Sequence, residues 1–243
     1  MTCALILCLL FSALPVYAWQ NITQNWAAAA VYYNTPCYET ATFLMSEEEF
    51  CAQKADLEKQ LSVSYETLYS KLSGSAKEAC KQAQADWLVF YNAYLAALEQ
   101  RWTVPVKIYY GMPNECRTVL YRDNCLRALA NRIDDLNCWA KGWVVQMSPA
   151  HAKDYAPLVA DEKTSLQVDM GLCLYVIDEP YRPKITAAHS AFFNFLDSNA
   201  KFITLLGSEN SVPGETMWQL ERMHRMTKDF YQGCRFYRRE REE

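Results

Sequence analysis

Glycine and proline are scarce in this chain, seven and nine among 243 residues. A fold of many short strands needs those residues at its turns, so the scarcity argues against a many-turned β architecture and suits long helices. No Cys-x-x-Cys pair, His-Glu-x-x-His motif or glycine-rich phosphate loop occurs, and His151, His189 and His224 stand apart from one another. Zinc and nucleotide chemistry therefore lack the spacing they require, and neither a metal nor a cofactor is expected. No serine or cysteine nucleophile sits in a recognisable elbow, so no catalytic residue is assigned. The formal charge of -4 at pH 7 offers no concentrated basic patch, which disfavours nucleic acid and weakly favours cationic partners. Beyond the first eighteen residues, no apolar run approaches the ~20 residues of a membrane-crossing helix.

What is present is a globular composition, 51% hydrophobic and 21% charged, with enough apolar surface for a sizeable core. Residues 1–18, MTCALILCLLFSALPVYA, carry no charge and end in Val16-Tyr17-Ala18, with small residues where a signal peptidase reads. They are expected to be a secretory signal peptide cleaved near Ala18, leaving an exported, soluble chain. Eight cysteines follow, Cys37, Cys51, Cys80, Cys116, Cys125, Cys138, Cys173 and Cys234. An even number in an oxidising compartment predicts four disulfides.

Apolar spacing then places the helices. Ser46 and Glu49 form a capping box for a helix through Cys51, Ala55, Leu57, Leu61, Tyr65, Leu68 and Leu72, closed by Gly74. Ser75 and Glu78 form a second box for a helix to about Trp102, with Ala83, Trp87, Phe90 or Tyr91, Tyr94 and Leu98 on one face. After a connection over 103–114, a third helix spans about Glu115 to Trp139, with Leu126, Leu129, Ile133 and Leu136 on its apolar side. A shift of 105 residues brings Ala55-Asp56 onto Ala160-Asp161, Leu61 onto Leu166, Val63 onto Val168, Trp87 onto Phe192 and Phe90 onto Phe195. Without a gap over about forty residues, this predicts an internal duplication. The chain is thus expected to be all-α, two tandem disulfide-stapled three-helix units at 37–142 and 153–243. In such a unit Cys80 can reach Cys138, and by correspondence Cys173 can reach Cys234. Cys37, Cys51, Cys116 and Cys125 would then bond among themselves in an unassigned order.

Several tempting features read as structure. His189 falls where the first copy has Gln84, which suits a structural role, and adjacent carboxylates such as Asp134-Asp135 point apart on a helix. Met217, Met223 and Met226 beside His224 have the helical spacing of a core. The arginines at 235, 238, 239 and 241 are interleaved with glutamates, as in a charged helix end.

The run Cys51, Ala55-Asp56, Leu61, Tyr65, Leu68, then Gln82-Ala83-Gln84, Trp87, Phe90, and Cys125 followed by Leu129, Arg132 and Leu136 resembles the lysozyme-inhibitor LprI-like domain family. The resemblance covers about Cys37 to Trp139, with a diverged copy over about Lys153 to Cys234. Leu95 stands where the family usually has a cysteine, and Cys80, Cys116 and Cys138 look like additions. The resemblance implies an exported, non-enzymatic binding protein of the bacterial envelope, periplasmic or secreted, some relatives of which inhibit lysozyme. The expected partner is a lysozyme or another peptidoglycan hydrolase, including a delivered envelope toxin; an envelope adaptor or ligand-binding structural protein is the alternative. An acidic run of Glu47, Glu48, Glu49, Asp56 and Glu58 would be steered toward a basic hydrolase. Lys107 with Tyr109 and Tyr110 would offer a cation and two aromatic anchors to its carboxylate-lined cleft.

Overall fold

The computed structural model describes residues 45–103, 114–142, 146–147, 149–177, 179–206, 212–213 and 215–226. The expected signal segment 1–18, the candidate loop residues Lys107, Tyr109 and Tyr110, the cysteines Cys37 and Cys234, and the side chains of Cys116 and Met217 lie outside them.

Helix α1 spans Glu47–Lys71 and opens as its cap predicts. The Glu49 N–H donates to the Ser46 hydroxyl at 3.1 Å, and the Ser46 N–H donates to the Glu49 carboxylate at 2.8 Å. Gly74, at φ +54°, then turns the chain in a conformation that a side chain would strain. That turn also starts α2, Gly74–Thr103, whose Lys77 N–H donates to the Ser73 carbonyl at 3.3 Å. Ser75 therefore stands inside the first turn rather than ahead of it, and the cap expected there is displaced to Ser73. Helix α3 spans Asn114–Ala140 and ends where the Gly142 N–H, at φ +72°, donates to the Trp139 carbonyl at 2.9 Å.

Three more helices follow: α4 over Pro149–Val176, α5 over Arg182–Leu205 with a proline in its first turn, and α6 over Glu215–Met226. A 3-10 turn at Glu179–Tyr181 separates α4 from α5. The two-residue strands β1, Gln146–Met147, and β2, Val212–Pro213, pair antiparallel and tie the α3–α4 connection to the α5–α6 connection. The described fold is otherwise all-α, as the glycine and proline scarcity predicts. No described helix is long and apolar enough to cross a membrane.

Packing crosses the midpoint of the chain. α1 lies mainly on α3 and α4 on α6, while α2 has its most extensive partner in α5. The described residues form one compact unit with a continuous core. The reason lies in the faces of the two central helices. Trp87 and Phe90 on α2 and Phe192 and Phe195 on α5 occupy the same relative positions, and each helix needs an apolar cover for its stripe. The Phe90 and Phe195 rings stack at 5.4 Å with planes 2° apart, and Phe192 lies 5.2 Å from Phe90. Burying each phenylalanine stabilises the fold by roughly 1.5–3 kcal/mol.

The disulfide expectation is corrected here. Cys51, Cys80, Cys125 and Cys138 are thiols, and no described cysteine lies at bonding distance from another. Cys80 faces the field of Arg132 beside Tyr65 of α1, whereas Cys138 sits among Asp134, Asp135, Lys141 and Arg222 toward α6. Facing different neighbours, these two thiols do not form the staple expected between α2 and α3. Cys173 is buried in α4, and its expected partner Cys234 lies outside the described residues.

Candidate functional site

The α2–α5 contact leaves a cleft that α3 and α6 complete. Trp87, Phe90, Phe192 and Phe195 make its apolar wall, and Arg127, Arg132, Arg222 and Arg225 its charged one, with Asn124, Asn131 and Asp135 between them. The cavity among these groups is small, about 60 Å³, and opens to solvent.

Arg132 is the deepest of the four, fully buried near the middle of α3. Its Nε donates to Gln84 Oε1 of α2 at 3.0 Å, and its Nη1 donates to Asn199 Oδ1 of α5 at 2.7 Å. The rings of Trp139, Phe195 and Trp87 have centroids 5.4, 5.7 and 5.9 Å from its guanidinium carbon, within cation–π range. Burial pulls its pKa down to about 10, against the field of Asp135, and leaves it a cation at neutral pH. Among the described residues this buried charge is thus held by neutral amide oxygens and ring faces rather than by a bonded carboxylate.

Arg222 of α6 is held differently. It donates to Asp135 Oδ1 at 2.5 Å, and Trp218 Nε1 donates to the other oxygen of that carboxylate at 3.4 Å. Burial works to lower its pKa, but Asp135 and Glu221 outweigh that and hold it above its ordinary value. Its Nε lies buried without a hydrogen bond, 3.4 Å from a Glu221 oxygen. Arg225, one turn on, bonds Asn131 and pairs with Glu221, while Arg127 pairs with Asp123 four residues before it. Asp123 and Glu221 are 39% and 42% exposed, so of these partner carboxylates Asp135 is the one that lines the cleft.

Such a site suits recognition of an anion. Guanidinium groups present planar forks of donors that match a carboxylate, and the rings beside them take an apolar body. The described titratable groups offer little to bond-making chemistry. Burial pushes the Cys80 and Cys125 thiols up to about 11 and about 12, which keeps them protonated and poor nucleophiles. His189 is buried on α5 with its ring 4.8 Å from Phe193, and burial pulls it down to about 4. Among the described residues no group of three His, Cys, Asp or Glu side chains is gathered as a metal site.

Of the candidate binding residues, Glu47 and Glu48 stand exposed at the start of α1. Glu47 accepts from Arg122 Nη2 of α3 at 2.5 Å, and Arg122 also donates to the Met45 carbonyl, so the turn is tied to the body of the fold. The cleft itself is not legible in the sequence, although Trp87, Phe90 and Arg132 of its lining stand in the family pattern. Arg127, Asn131 and Asp135 recur every four residues on α3, and Arg222 and Arg225 are three apart on α6. That spacing alone cannot be told from a solvated charged face.

The fold is similar to the crystal structure of an uncharacterised protein from Burkholderia thailandensis, with a TM-score of 0.54 and 12% sequence identity over 81% of this chain and 96% of that one. At that identity the likeness is one of fold alone. The chain matches no family model and no curated protein.

Proposed function

We propose that this is an exported, non-catalytic binding protein of the bacterial envelope that acts by occupying a peptidoglycan hydrolase, with the arginine–aromatic cleft as the seat for an acidic group of its partner. The observation that carries the reading is Arg132. Among the described residues it bonds no carboxylate; a guanidinium so buried loses hydration worth several kcal/mol, and a well-packed apolar side chain would often stabilise the same place as well or better. Stability therefore gives little reason for four arginines around a ring-lined cleft, whereas recognition of an anion does.

Two further features support the reading. The exposed Glu47 and Glu48, with Asp56 and Glu58 further along α1, give the surface an acidic end that would steer a basic hydrolase into contact. The helix order is compatible with tandem LprI-like copies: α1 lies on α3 as α4 lies on α6, with α2 and α5 as the central pair.

A cell-wall turbidity assay with lysozymes of several classes tests the proposal. Saturable inhibition at micromolar protein, weakened about tenfold or more by Arg222→Gln, is expected. If no class is inhibited by excess folded protein, the hydrolase reading fails.

A further inference from the structure

We infer that the cleft is a halide site, which holds one monovalent anion of chloride size against Arg132. The inference deepens the reading of this cleft as an anion seat and rests on it, but it requires no hydrolase.

The size of the ligand follows from the cavity. Its volume of about 60 Å³ takes one or two bodies the size of a water molecule, whose share of the liquid is about 30 Å³. A monatomic anion fits, with a water beside it. A larger organic acid could insert only its carboxylate and would leave its body crowded at the mouth.

The charge of the ligand follows from the pairing of the lining groups. Arg127 pairs with Asp123, Arg222 with Asp135 and Arg225 with Glu221. Four guanidinium groups thus meet three bonded carboxylates, and the excess positive charge falls on Arg132, whose described partners are amide oxygens. Asp134, next along α3, is exposed and does not line the cavity. One negative charge balances the cluster, and a second would meet Asp135 inside it.

The donors suit such an ion. Arg132 commits Nε to Gln84 and Nη1 to Asn199, and no described residue accepts from its Nη2. Asn131 gives its side-chain oxygen to Arg225, so its amide N–H groups face away from that arginine, again without a described acceptor. Trp87, Phe90, Phe192 and Phe195 complete the wall with side chains that hold no hydrogen-bond acceptor to compete for those donors. Arg132 is 2% exposed, and the attraction between it and an anion is stronger in that sheltered place than in water. A water molecule alone could satisfy the N–H groups but would leave the buried charge unbalanced, which is costly.

Chloride NMR of the full chain tests this. The chloride line is expected to broaden saturably, bromide to displace the bound ion, and gluconate at equal ionic strength to displace it about tenfold less well or worse. Arg132→Met should weaken chloride binding about tenfold or more. The triple variant Arg132→Met, Gln84→Leu and Asn199→Leu, in which the charge leaves together with its acceptors, replaces it should the single variant fail to fold. Broadening that does not saturate up to about 200 mM chloride, equal displacement by gluconate, or undiminished affinity in a folded variant without the Arg132 charge overturns the inference. The unfolding midpoint gives a second reading. Exchanging gluconate for chloride at constant ionic strength should raise it in the wild type and leave the variant unmoved, and a wild-type midpoint indifferent to the exchange also overturns the inference. Both measurements use the chain by itself, so the halide site stands or falls whether or not a hydrolase is inhibited, and failure to inhibit would sink the hydrolase reading alone.

Discussion

At the start of α1 three glutamates stand in solvent on one turn, while four arginines crowd a cleft beside phenylalanine and tryptophan rings. The glutamates keep their hydration and gain from the helix dipole, so placing them there costs the fold almost nothing. The arginines give up water, and each has been compensated in its own way. Arg132 has amide oxygens and rings, Arg222 has Asp135, and Arg225 has Glu221 at the rim. An exposed charge can be exchanged with little consequence, whereas a buried one reveals its worth only when its compensation is removed.

The largest expected effect comes from the wall that shelters the buried charge. Trp87 is 3% exposed, stacks on Tyr91 at 5.0 Å and shields Arg132. Trp87→Ala should cost about 3–5 kcal/mol in urea unfolding. A variant that keeps wild-type stability would show that this ring neither fills the core nor shelters the charge. Next, Asn199→Leu removes one neutral acceptor from Arg132 and should cost about 1.5–3 kcal/mol, the range for a hydrogen bond to a charged group. The triple replacement Arg132→Met, Gln84→Leu and Asn199→Leu should cost less than Asn199→Leu alone, because it removes the charge together with its acceptors. A triple variant less stable than the single one would show that the buried cation contributes net stability, and the argument for recognition would lose its footing.

Much of this arrangement is legible in the chain, and the part that is not has a physical cause. Ala83, Trp87, Phe90, Tyr94 and Leu98 fall on one face by spacing alone, and all are buried. The Ser46–Glu49 box is visible because both partners are local, while the box at Ser75 fails because a left-handed glycine starts α2 ahead of it. The cleft is hidden because its arginines announce themselves as surface pairs. Arg127 with Asp123 and Arg225 with Glu221 have the four-residue spacing of any solvated helix face. Only the packing of α2 on α5, which joins the two halves of the sequence, turns those faces toward one space. The exposed Ala55 and Cys51 carry the complementary lesson, since α1 has one partner face on α3 and its apolar stripe narrows toward the N-terminus.

His189 tests the burial of a group that stays neutral, where the arginines stay charged. Its pKa, near 4 in the folded chain, lies below the ordinary 6.5 because burial disfavours the imidazolium. A depressed folded pKa means that the stability it contributes is fully present above about pH 6.5 and is lost as the pH falls toward 4. The loss should be about 1–2 kcal/mol between pH 7 and pH 4.5 beyond that of His189→Gln, a replacement suggested by the buried Gln84 at the corresponding place on α2. Parallel urea midpoints for the two proteins across that range would refute the assignment.

The smallest structural effect is expected at the acidic turn, and it separates two glutamates that the sequence treats alike. Glu47 accepts from Arg122, a residue whose side chain is only 14% exposed and which also holds the Met45 carbonyl. Glu47→Gln should therefore loosen the entry to α1 and lower the melting temperature slightly. Glu48 stands exposed beside it, and Glu48→Gln should leave the melting temperature unchanged. Steering depends on summed charge rather than on either contact, so both variants should slow association with a basic hydrolase to the same degree at low salt. At 1 M salt, where the screening length falls to about 3 Å, that difference should vanish. A slowing confined to Glu47→Gln would mean that the ordered turn, rather than its charge, is what the partner meets.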